Sequence, residues 1–131
     1  MEHGAYYEAD VLAYFSGKPA ELALYEAVYA RMCRAFGDVS VKVQKSQISF
    51  YNRHLFAAVS LPVRRKKDWP KSCILVTFGL FRRVDDPRIA VAVEPYPGRW
   101  THHVVLSCPE QADDELMAWL EEAYQCALSK R

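Results

Sequence analysis

Apolar positions along this chain follow two periods, a three-to-four-residue spacing near its ends and a two-residue alternation in its middle. Val11, Leu12, Tyr14 and Phe15 cluster as a first helical segment, broken by Ser16-Gly17-Lys18-Pro19. Pro19 suits the first turn of a second helix, where its missing N–H costs nothing. From Glu21 onward Leu22, Tyr25, Val28, Tyr29, Met32 and Phe36 make one wide helical face. Gly37 is placed to end that helix in a left-handed cap.

Strand grammar follows. Val39, Val41 and Val43 alternate with Ser40, Lys42 and Gln44, and Ile48 and Phe50 alternate with Ser49 and Tyr51. Asn52-Arg53-His54 forms a turn into a strand over Leu55 to Leu61, which Pro62 ends. Cys73 to Phe81 is a further β-rich run, Asp85-Asp86-Pro87 turns the chain, and Trp100 to Leu106 makes a last strand. The closing helix has Pro109 and Asp113-Asp114 at its start and a stripe of Leu116, Leu120, Ala123, Tyr124 and Ala127. Helices at both ends of a strand meander predict an α+β fold: N-terminal helices, an antiparallel sheet of about four to six strands, and a C-terminal helix packed on it.

Length and composition narrow the class. The 131 residues read as a single domain spanning 1–131, and 51% hydrophobic content argues for a folded core. The apolar stretches fall far short of the ~20 residues that span a membrane. The first residues lack a basic region followed by an apolar core, so the expected compartment is the cytoplasm. Cys33, Cys73, Cys108 and Cys126 stand 40, 35 and 18 residues apart without any C-x-x-C pair. They read as small buried or half-buried side chains, and no metal site or cofactor is expected.

Charge changes the picture more. Between Val39 and Val84 lie ten Lys and Arg residues and one acid, Asp68, a formal +9; the remainder holds seven cations and fifteen acids, a formal −8. The near-neutral total of +1 therefore hides two opposed parts. The loop carrying Arg64, Arg65, Lys66, Lys67, Trp69 and Lys71 is the candidate polyanion contact. Its cations would track phosphates, with Trp69 available to stack, so nucleic acid is the first candidate partner. The same asymmetry admits a second use, a charge-complementary homodimer with no ligand.

An alternative site rests on strand parity. His102 shares a face with Val104 and Leu106, and Lys45 continues the inward series of Val39, Val41 and Val43. Joined by Tyr51, Arg53 or Arg99, they would line a pocket for a small anion or for acid–base chemistry, since burial lowers both pKa values. His103, on the opposite face, is expected to be exposed. No Gly-rich phosphate loop, nucleophile elbow or metalloprotease motif occurs, and the strands lack the paired acids of a two-metal site. No catalytic residue is assigned; the reading is a binding module rather than an enzyme.

Several short elements occur in a fixed order: Phe15-Ser16-Gly17-Lys18-Pro19, Lys45-Ser46-Gln47-Ile48-Ser49-Phe50, Phe56-Ala57-Ala58-Val59, Lys67-Asp68-Trp69, Asp85-Asp86-Pro87-Arg88-Ile89, His102-His103-Val104-Val105-Leu106, Asp113-Asp114-Glu115-Leu116 and Ala123-Tyr124. Together they resemble a bacterial family of uncharacterised domains, over about Val11 to Tyr124. The resemblance implies the fold more than a function. Many members carry a short Cys/His zinc-ribbon-like segment ahead of the shared domain. This chain starts almost at the domain and has no paired cysteines, so the resemblance carries no zinc site onto it.

Overall fold

The structure is a computed structural model that describes every residue except Arg65 and Arg131. Chain order runs β1 (Glu2–His3), α1 (Tyr7–Tyr14), α2 (Pro19–Ala35), β2 (Ser40–Val43), β3 (Ile48–Tyr51), β4 (Leu55–Ser60), β5 (Ile74–Leu80), β6 (Ile89–Tyr96), β7 (Arg99–Leu106), a 3-10 turn at Pro109–Gln111 and α3 (Asp114–Ser129). The strands form one sheet in the order β1-β2-β3-β4-β5-β7-β6, antiparallel except for the β1–β2 pair. This is the α+β architecture that the pattern implies, with α3 packed on β4 and β5.

The alternation predicts which residues face the helices. Register aligns Phe50 with Ala57, Ala57 with Phe78 and Phe78 with His102, and likewise Ile48 with Val59, Val76 and Val104. These side chains are buried together with Leu24, Tyr25, Val28 and Met32 of α2 and Leu116, Leu120 and Ala123 of α3. Each fully buried Leu, Ile or Phe contributes about 1.5–3 kcal/mol, so this row of pairs is the main source of stability. α1 is fastened to the sheet by Tyr14, whose hydroxyl donates to the Ser46 carbonyl (3.1 Å) and accepts from the Leu61 N–H (3.2 Å).

Two strands, β1 and β6, escape the sequence pattern. β1 has only two residues, both exposed. β6 begins with Ile89-Ala90-Val91-Ala92-Val93, which does not alternate; it lies at the sheet edge, and its residues are half-buried or exposed. The signal that could have located it is the Pro97-Gly98 turn into β7, where Gly98 adopts φ +73°. α2 also ends differently from the expected glycine cap. Phe36 is extended (φ −123°, ψ 135°), and Gly37 does not adopt a positive φ. The Phe36 ring stacks on Tyr124 at 4.8 Å and meets Phe56 edge-on at 5.6 Å, so aromatic packing sets the exit from the helix.

Side chains cap both ends of α3. At its start the Asp113 carboxylate accepts from the Leu116 N–H at 3.0 Å and from Arg88 at 2.8 Å. Burial alone would raise the Asp113 pKa, but these donors outweigh it and hold the carboxyl below its usual range. At its end the β3–β4 turn adds donors to carbonyls of the last turns: Asn52 donates to Tyr124 (2.9 Å), Arg53 to Leu128 (3.3 Å) and His54 to Ala127 (3.1 Å). Asp113→Ala is expected to lower stability by about 1–2 kcal/mol, seen as a drop of about 3–10 °C in a thermal melt. Asp113→Asn keeps a capping oxygen and should lose less; equal melts for both variants and the parent would refute the cap.

Candidate functional site

The β4–β5 connection is the basic loop. Arg64, Lys66, Lys67 and Lys71 are exposed and Trp69 is half-buried. Arg65 lies outside the described residues. The Lys66 ammonium sits 5.8 Å from the Trp69 ring centroid, and the Trp69 N–H donates to the Lys66 carbonyl at 3.0 Å. The loop therefore folds back on itself and holds the indole in place. Lys66, Asp68 and Trp69 line an open depression of about 470 Å³ together with Arg88, Ile89 and Gln111.

Four of the acids around α3 are matched with arginines. Arg31 pairs with Asp114, Arg82 with Glu122 (2.8 Å), and Arg88 with Asp113 (2.8 Å) and Glu115 (3.0 Å). Arg82 belongs to the basic segment, so the two charged parts of the chain interleave here. Its hydrogen bonds push the Glu122 pKa down, and Glu122 pushes that of Arg82 up. Among the described residues, no acid lies within ion-pair distance of Arg64, Lys66 or Lys67. These three cations fall within four positions of one exposed loop.

The five residues of the alternative pocket sit in different places. β2 ends at Val43, and Lys45 is exposed on the β2–β3 turn, closed by the Gln44 N–H donating to the Gln47 carbonyl at 2.9 Å. Tyr51 lies beneath the Lys42 ammonium at 4.9 Å. Arg53 caps α3, and Arg99 lines a groove on the sheet face away from the helices. His102 points inward as its parity requires and is fully buried. Its Nε2 accepts the Val84 N–H at 2.9 Å and its ring stacks on Phe78 at 5.2 Å. Burial, helped by the nearby charge of Arg82, lowers its pKa. That geometry gives His102 a role in holding the β5–β6 connection.

His103 is half-buried rather than exposed, because its Nδ1 bonds the Thr77 hydroxyl across the strand pair at 2.9 Å. Among the cysteines Cys73 is buried and Cys108 and Cys126 are half-buried, while Cys33 is exposed. Among the described residues, no helix is long and apolar enough to cross a membrane. A family model described as a domain of unknown function (DUF5655) matches residues 11–127. No curated protein and no solved structure matches the chain.

Proposed function

We propose that this chain, which belongs to the DUF5655 family of domains of unknown function, is a binding module whose β4–β5 loop contacts the phosphates of a nucleic acid. The observation that supports the reading is the charge left over on that loop. Arg31, Arg82 and Arg88 pair with acids, whereas Arg64, Lys66 and Lys67 are exposed without an acidic partner among the described residues. Such cations are free to displace the counterions condensed on a phosphate backbone, and that release gives binding without sequence readout. Trp69 beside them offers a ring on which an unpaired base could stack once Lys66 swings aside. A charge-paired homodimer would use the same loop against α3. There Asp113, Asp114, Glu115 and Glu122 are already held within the chain, which favours the nucleic-acid reading.

Fluorescence anisotropy of labelled single- and double-stranded DNA tests it. With three or four phosphate contacts, raising salt from about 50 to about 200 mM weakens binding about 20- to 150-fold. Reversing Arg64, Lys66 and Lys67 together to Glu should abolish binding and leave the melting temperature unchanged. Absence of binding at low salt, or binding that ignores salt or survives the triple reversal, would sink the proposal.

A further inference from the structure

The sheet face opposite the helices carries a groove of about 280 Å³. Its floor is made of small residues. Ala58 pairs with Thr77 and Gly79 with Thr101, which places these four on the face opposite Ala57, Phe78 and His102. Large side chains stand around them. Leu55, Phe81 and Tyr96 line the groove while 43%, 44% and 71% exposed, so three of the seven large hydrophobics exposed among the described residues gather at one place.

Gly79 lies inside β5, where glycine weakens a strand. Neither conformation nor crowding calls for it. Its φ is not positive, and an added Cβ would meet only the Trp100 carbonyl, at an ordinary contact distance of 3.9 Å. What the missing side chain does is keep the floor of the groove open.

Two cations reach this apolar trough, Arg99 and Lys130, and no acid lines it among the described residues. The Arg99 guanidinium lies 5.2 Å from the Phe81 ring centroid, which holds it at the rim. Lys130 is half-buried just past the end of α3. Burial first, and then the charge of Arg99, lower its pKa. The negative charge of an anion placed between them would offset both effects.

We propose that this groove binds a small organic acid, with its carboxylate between Arg99 and Lys130 and a flat apolar body lying over Gly79 against Leu55, Phe81 and Tyr96. Apolar walls with a few convergent polar groups are the usual make-up of a small-ligand site. The site is separate from the basic loop and does not depend on nucleic-acid binding.

Amide-resolved NMR titration with naphthoate, and with naphthamide as an uncharged isostere, tests the proposal. Naphthoate should give saturable shifts at Gly79 and Thr101, and naphthamide should bind at least about tenfold more weakly, as expected for loss of charge-assisted hydrogen bonds. Gly79→Val fills the floor and should remove binding without lowering the melting temperature. Arg99→Gln should weaken naphthoate about tenfold with the fold intact, and it keeps the test decisive should the valine variant not fold. The idea is overturned by absence of saturable shifts in the groove, by equal binding of the two probes, or by parental affinity in Arg99→Gln or in folded Gly79→Val.

Discussion

Phe78→Ala should remove about 3–5 kcal/mol of stability, a large share of the ~5–15 kcal/mol that holds a domain folded. Phe78 is central in β5 and 1% exposed. Its ring stacks with His102 at 5.2 Å and with Trp119 of α3 at 5.8 Å, so it joins the sheet to the C-terminal helix. Truncation loses the transfer energy of the ring and leaves a cavity that neighbouring rings, fixed by backbone pairing on one side and by α3 on the other, cannot close. Phe78→Leu refills most of the volume and should cost much less. Urea denaturation of the two variants decides the matter; a loss below about 1.5 kcal/mol for the alanine variant, well short of the usual range, would show that the site collapses freely.

His102 carries the second large effect, and it has a pH signature. His102→Ala leaves the buried Val84 N–H without its acceptor and removes the ring stacked on Phe78, an expected loss of about 2–4 kcal/mol. In the folded protein Nε2 accepts a hydrogen bond, so protonating it turns an acceptor into a donor facing another donor. Burial lowers the pKa of His102, and likewise that of His103. The unfolded chain, with histidine pKa values of about 6.5, therefore binds protons more readily than the folded one. Stability from this source is complete above about pH 6.5 and declines as pH falls through the window down to the lowered folded values. The slope approaches about 1.4 kcal/mol per pH unit for each histidine. Thermal melts from pH 8 to 5 should show this decline in the parent, a shallower one in His102→Gln, and the remainder in His103→Gln. Parallel curves for parent and His102→Gln would mean that His102 does not resist protonation.

The basic loop was legible because both its signals are local: a run of cations, and the proline-bounded gap between two strand patterns. That Arg64, Lys66 and Lys67 have no acidic partner among the described residues was not legible. That depends on partners such as Arg82 and Glu122, which stand 40 residues apart in sequence and 2.8 Å apart in space. The groove at Gly79 was likewise hidden, since a strand glycine has meaning only once its neighbours Ala58, Thr77 and Thr101 are known to be small.

By itself the sequence determined the helical ends, the alternating middle, the turn at Asn52-Arg53-His54 and the inward direction of His102. Each of these follows from a period of two or about 3.6 residues acting over one short segment. Only the tertiary structure decided that β6 joins the sheet at its edge, that Phe36 rather than Gly37 governs the exit from α2, and that Lys45 and His102 lie apart. Those outcomes depend on which distant surfaces meet. A ring finding Tyr124 and Phe56, or a strand ending two residues before a lysine, is settled by packing that local periodicity does not encode.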